Sequence, residues 1–331
     1  MMTINSVIAD VAHNIVQRSA LSRKTYLDNL ELSASKGKVR AGLACGNLAH
    51  TVAASSEQEK VSILDFTKTN LAIVSSYNDM VSAHQPYRDY PELIKDALAE
   101  LGNTAQVAGG VPAMCDGITQ GNDGMELSLF SRDLIAQSTA LSLSHNTFDG
   151  TLLLSVCDKI APGQLMGALA FGHLPTLFMP SGPMATGISN DEKVSTRQKY
   201  VAGEVDKSAL LAVECKAYHS AGTCTFFGTA NTNQLVFEAM GLMLPGSAFV
   251  PPNDPLRDKL TAKAAQYIAS VSVNQHSNKS LGYVLDEKSV VNGLVALLAA
   301  GGSTNHTIHL VAVAKAAGWT ITWDDLDRLS Q

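Results

Sequence analysis

A chain of 331 residues with 46% hydrophobic and 16% charged content has apolar material for a sizeable core and a length that suits about two domains. Its formal charge of −6 is modest and its 24 basic residues are scattered, which argues against nucleic acid as a partner. The longest apolar run, VVNGLVALLAAGG, falls short of the roughly 18 residues that cross a bilayer, and the N-terminus lacks the basic-then-apolar order of a signal peptide, so a cytoplasmic protein with no membrane partner is expected.

Residues 1–65 read as a polar, helical wrap around the core, with the Ser-rich HTVAASSEQEKVS at 50–62 as a loop. From residue 66 to 331 short apolar runs alternate with longer amphipathic ones. That alternation predicts an α/β fold in three layers, α/β/α, around a mostly parallel sheet. The predicted strands are LAIVSS (71–76), AQVAGG (105–110), TLLLSV (151–156) and TLFMPSG (176–182). The helices between them are PELIKDALAELG (91–102), GMELSLFSRDLIAQSTALSLS (124–144) and GQLMGALAFGH (163–173). The Pro-rich VPPNDPLRDKL, near 250–260, leads into a further helical region. GGSTNHTIHLVAVAKAAG reads as a glycine loop and a helix capped near Ser303 or Thr304. The last stretch, WTITWDDLDRLSQ, reads as a strand entering a helix.

A parallel sheet gathers ligands beyond the carboxyl ends of its strands. There the sequence delivers Tyr77-Asn78-Asp79, Cys115-Asp116-Gly117, Cys157-Asp158-Lys159 and Ser181-Gly182-Pro183. Five cysteines, at 45, 115, 157, 215 and 224, are an odd number in a large chain, which argues against a disulfide framework. Cys157 is either a metal or iron-sulfur ligand or a buried structural thiol. Cys224, ahead of the helical NTNQLVFEAMG, is a second ligand or a loop filler. Neither belongs to a zinc-type Cys/His spacing.

Asp116 and Asp158 suit a hard cation such as magnesium, or else a turn and a helix cap. Lys159 is either a salt-bridged structural lysine or an amine kept neutral for covalent chemistry. Asp158 and Lys159 are therefore also the candidate catalytic residues. Of the histidines near these loops, His84, His145 and His219, His84 is the candidate cluster ligand or substrate contact, with a satisfied loop histidine as its alternative. His173, His306 and His309 read as packing or capping. VAGGVP and AAGGST match no nucleotide motif, though helix-start amides there suit a small anion.

Six blocks, SSYNDMVSAHQPY, GGVPAMCDGITQGNDGMELSLFSRDLIA, HNTFDGTLLLSVCDKIAPG, PSGPMATG, GTCTFFGTANTNQ and GGSTNHTIHL, resemble successive segments of the dihydroxy-acid and sugar-acid dehydratases. The resemblance runs over nearly the whole chain, and LACGNLAH with VPAMCDGITQG is similar to the branch that acts on 6-phosphogluconate in the Entner-Doudoroff pathway. It implies a hydro-lyase that takes a phosphorylated sugar acid, 6-phospho-D-gluconate, to 2-keto-3-deoxy-6-phosphogluconate and water. It also implies an iron-sulfur cluster on Cys157 and Cys224, acting as Lewis acid on the leaving 3-hydroxyl. Magnesium, on the same grounds, sits on Asp116 and Asp158, with Lys159 carbamylated as a further oxygen ligand.

Two departures qualify the transfer. Many relatives place a third cluster cysteine in the loop matching YNDMVSAHQP, where this chain has Ala83 and His84. A [4Fe-4S] cluster with an open iron, favoured over [2Fe-2S], or substitution by Cys115 would each accommodate that. Relatives are also about twice as long, with a second, β-rich domain that carries the serine thought to act as base, so this chain resembles their N-terminal portion and is expected to turn over little alone. The relatives are dimers, so a homodimer is implied. The alternatives are another dihydroxy- or sugar-acid dehydratase of the family and a non-catalytic module for dimerisation or cluster binding.

Overall fold

The computed structural model describes residues 4–272 and 278–331; the helical expectation for residues 1–3 lies outside them. Four parallel strands form where the apolar runs predicted them: β1 Asn70–Ser75, β2 Thr104–Gly110, β3 Gly150–Leu154 and β4 Thr176–Met179, in the order β2-β1-β3-β4. The central pair β1 and β3 is buried throughout, as the unbroken apolar runs NLAIVS and GTLLL require when helices cover both faces. At the β4 edge Phe178 N donates to Leu242 O at 2.9 Å, so this short strand is buried as well. The β2 edge is the partly exposed one.

Helices cover both faces of the sheet. Ser131–Leu143 and Ile160–Leu169 pack together, as do Tyr90–Ala99 and Pro255–Ser272. The first pair approaches closely because Gly163 and Gly167 offer no side chain there. A Cβ on Gly163 would stand 2.7 Å from Arg132 O, and one on Gly167 2.4 Å from Ala136 O, both inside van der Waals contact. Residues Ser6–Arg18 and Ala20–Ala34 are helical as expected, and Val11 and Ile15 are fully buried. Their helix packs on Glu287–Ala299 and Trp323–Ser330. Arg23 adds hydrogen bonds to Ala317 O at 2.7 Å and Gly282 O at 2.6 Å.

Three local expectations change. The stretch read as a loop at 50–62 contains the start of a helix, Glu57–Leu64, because Ser56 and Glu59 form a reciprocal capping box that satisfies two orphan amides. The predicted helix 124–144 divides into a 3₁₀ turn, Asp123–Leu127, and the helix Ser131–Leu143. WTIT forms no strand; Trp319 instead buries its ring and donates Nε1 to Leu285 O at 2.9 Å.

At the amino end of the strands a buried pair, Arg40 with Asp149, fixes the N-terminal segment to the sheet at 2.8 Å. Asp149 Oδ2 also accepts from Asn70 N at 2.9 Å, and Arg40 Nη2 donates to Lys68 O at 3.0 Å. Among the described residues no helix is long and apolar enough to cross a membrane.

Candidate functional site

Crossovers leave β1 and β3 in opposite directions across the sheet, and a crevice opens at such a reversal beyond the carboxyl ends. Cys157 occupies the turn from β3 into Ile160–Leu169 with φ +74°, and only Asn146, at φ +55°, shares a positive φ among the described non-glycine residues. Holding cysteine in this left-handed region costs about 1–3 kcal/mol, strain of a kind that clusters at functional sites. The strained turn borders a cavity of about 320 Å³ that Cys115, Cys157 and Cys224 line together.

Cys224 reaches that cavity from a loop pinned to the one after β4. Met184 N donates to Thr223 O at 3.0 Å and Thr223 N to Gly182 O at 2.9 Å. Gly222, at φ +124°, lets the two backbones touch, since a Cβ there would lie 2.4 Å from Met184 N. The buried Asn231, on helix Thr229–Ala239, closes the loop by donating Nδ2 to Cys224 O at 2.9 Å and Phe226 O at 2.8 Å. Burial pushes the Cys157 thiol well up, and the neighbouring Cys115 and Cys224 add to this. Burial, then Cys115, also raises Cys224. Both thiols therefore hold their protons until a cation displaces them.

A second cavity, of about 350 Å³, adjoins the first and is lined by Asp116, Ser128, Asp158, Lys159 and His309 among others. Asp116, Asp158 and Asn305 line both cavities. Each volume falls in the range of roughly 300–1,000 Å³ that suits a small-molecule ligand. Between them Lys159, only 3% exposed, donates Nζ to Asp116 Oδ2 and, at 2.5 Å, to Asp158 Oδ2. Ser128 Oγ donates to Asp116 Oδ1 at 2.6 Å. Burial alone would raise Asp158, but hydrogen bonds from His309 and Lys159, with the charge of Lys159, outweigh it and hold this carboxyl down at about 2. It is a permanent anion at neutral pH, suited to binding a cation and poorly suited to taking a proton.

His309, expected to serve only for packing, belongs to this site. Its Nε2 lies 3.2 Å from Asp158 Oδ1 and its Nδ1 3.3 Å from Arg132 Nη1. A guanidinium only donates, so Nδ1 accepts and Nε2 carries the proton toward Asp158. His306 is packing as expected: buried against Phe237, with burial lowering it to about 3.

His84 is wholly buried and stands outside the residues lining either cavity. The Ser76 hydroxyl gives its proton to Leu154 O at 2.7 Å and meets His84 Nδ1 at 2.7 Å, so Nδ1 is the protonated nitrogen of a ring that burial lowers to about 4. Neither His145, whose Nδ1 meets Ser142 O at 2.9 Å, nor His219 lines these cavities.

Among the described residues no three His, Cys, Asp or Glu side chains converge tightly enough to cage one ion. The donor sets still divide by chemistry. Three thiols ring one cavity, an arrangement suited to a multi-iron cluster whose irons each take a thiolate from a different direction. Three carboxylates, Asp116, Glu126 and Asp158, border the next, suited to a hard cation, with the Lys159 ammonium between Asp116 and Asp158 holding the positive charge that such a cation would bring.

A family model described as dihydroxy-acid/6-phosphogluconate dehydratase N-terminal matches residues 68–331. The phosphogluconate dehydratase of Escherichia coli (strain K12) is 57% identical over 99% of this chain and 54% of its own length. That of Pseudomonas aeruginosa is 56% identical over 98% and 53%. A dihydroxy-acid dehydratase of Sulfurimonas denitrificans is 35% identical over 77% and 46%. The chain thus spans about half the length of the curated relatives it matches.

Proposed function

The chain belongs to the dihydroxy-acid/6-phosphogluconate dehydratase family, and from that premise we propose that it carries the cofactor-binding half of a cytoplasmic enzyme that dehydrates 6-phospho-D-gluconate to 2-keto-3-deoxy-6-phosphogluconate. The observation that carries this reading is the three-thiol cavity set against the Asp116–Lys159–Asp158 cluster. Its support for the phosphorylated substrate over a branched-chain dihydroxy acid is the higher identity to the phosphogluconate dehydratases.

Cys157 and Cys224 would hold an iron-sulfur cluster, of [4Fe-4S] type, and Asp116 and Asp158 magnesium or a similar divalent cation. When bound, the two groups supply Lewis acidity to a leaving hydroxyl and charge neutralisation to a substrate carboxylate. The chain's own part is to place these charges. Asp158 stays ionised and is oriented by His309, while Ser128 fixes Asp116. Lys159 keeps the two carboxylates together. Carbamylation, joining the Nζ of this ammonium to carbon dioxide with release of two protons to solvent, would turn this donor into an oxygen ligand. Exposed Leu129, Phe130 and Leu141 form apolar surface of the kind an assembled protein covers, consistent with a homodimer.

The test is calorimetric titration of the anaerobically reconstituted, magnesium-loaded chain with 6-phospho-D-gluconate and with a branched-chain dihydroxy acid. Tighter binding of the phosphorylated acid, lost in Asp158→Asn, is expected. Preference for the branched acid would move the protein to the other branch of the family, and absence of any iron uptake would sink the reading.

A further inference from the structure

We propose that Cys115 is the third thiolate of the iron-sulfur site, supplied by the strand next to the one whose loop lacks a cysteine. The inference rests on the reading that Cys157 and Cys224 bind a cluster.

After β1 the chain offers Ala83, which has no donor, and His84, whose Nδ1 is bonded to Ser76 and whose unpartnered Nε2 is buried against Tyr87 outside the residues that line the cavity. A ligand must therefore come from another strand end. β2 pairs directly with β1, so the segment leaving β2 opens onto the same crevice. It runs through Val111 to Cys115, whose backbone is extended, with φ −109° and ψ 116°, and whose neighbour Asp116 opens a short helical turn. Thiol and carboxylate thus leave adjacent residues. Cys115 lines the cavity of Cys157 and Cys224, while Asp116 also lines the adjoining one. Cys157 and Asp158 repeat the arrangement from β3.

Two Cys-Asp pairs, from the segments that follow β2 and β3, consequently line one cavity. The electrostatic influence of Cys115 on both other thiols agrees with this proximity. The remaining cysteines, Cys45 and Cys215, are exposed and lie outside the cavity. Three thiolates would hold a four-iron cluster while leaving it open to a further oxygen ligand. Each thiol gives its proton to solvent as the sulfur-iron bond forms.

The experiment uses the 331-residue chain, iron-free or anaerobically reconstituted with ferrous iron and sulfide, pulsed with iodoacetamide and mapped by mass spectrometry. Alkylation needs a free, accessible thiolate, so Cys115 and Cys224 are expected to slow together by at least about tenfold on reconstitution while Cys45 and Cys215 do not. Cys115→Ser, with unchanged circular dichroism, is expected to lose at least half of the bound iron or to shift the electron paramagnetic resonance of the reduced cluster. Cys115 reacting equally fast with and without iron, beside a protected Cys224, would overturn the proposal and leave the two-cysteine reading standing. A chain that takes up no iron would overturn both.

Discussion

Arg40 and Asp149, at the amino end of the sheet, form an ion pair tied to backbone on several sides, whereas Lys159 with Asp116 and Asp158, at the carboxyl end, is held by side chains alone among the described contacts. The first pair is 0% and 1% exposed and bonds Ile63 O, Lys68 O and Asn70 N. In the second, Lys159 is 3% exposed but its partners Asp116 and Asp158 are 28% and 15% exposed and border two cavities. Bonds to backbone commit a charge to one arrangement. Bonds to side chains beside open volume leave carboxylate oxygens that can be handed to an incoming cation. Buried charge is thus structural at one end of the strands and available at the other.

The strongest challenge to that contrast is Arg40→Met. It strands the Asp149 carboxylate, and a loss of about 3–5 kcal/mol of unfolding free energy in urea is expected; a loss under about 1 kcal/mol would erase the distinction. Acid is the next test. Below the ordinary 6.5 the unfolded chain protonates its histidines, whereas the folded ring of His84 refuses a proton until about 4 and that of His306 until about 3. Stability is therefore full above pH 6.5 and falls as pH drops through that window, by up to about 3 kcal/mol for His84 and about 5 kcal/mol for His306. Hydrogen exchange at pH 7 and pH 4.5 should show the carboxyl end opening first.

Asp116→Asn should cost only about 1–2 kcal/mol, because Lys159 keeps Asp158 as a partner. Manganese binding followed by electron paramagnetic resonance should nevertheless weaken at least about tenfold. Unchanged affinity would remove Asp116 from the ligand set. The smallest effect is expected for Arg132→Met, under about 1 kcal/mol, but the freed Nδ1 lets the ring change tautomer, and the nitrogen chemical shifts of His309 should move. Static shifts would mean that Asp158 alone fixes the ring.

The strands were legible because burial on both faces leaves an unbroken apolar run, and the crevice because parallel strands all end on one side. Cys115, Asp116, Cys157, Asp158 and Lys159 followed from those ends, and Cys224 from its glycine-rich loop. His309 was hidden because HTIHLVAVA reads locally as an apolar helix; only tertiary packing brings its second turn beside Asp158. Ser128 and Arg132 gave no local signal for the same reason. Arg40 and Asp149 meet across 109 positions of sequence, a separation at which no periodicity operates. Glu57–Leu64 was readable in Ser56-x-x-Glu59, but the surrounding serines spoke for a loop.

The left-handed backbone at Cys157 has a consequence for how this chain tolerates change. A residue without Cβ would sit there at ease, so glycine should outrank alanine at 157 by about 1–2 kcal/mol, the reverse of their order within regular elements. A library randomised at this codon and selected for folding alone is therefore expected to enrich glycine above other small residues, and one selected for iron retention to return cysteine. Codon 157 would then report, clone by clone, which of the two pressures a lineage has been living under.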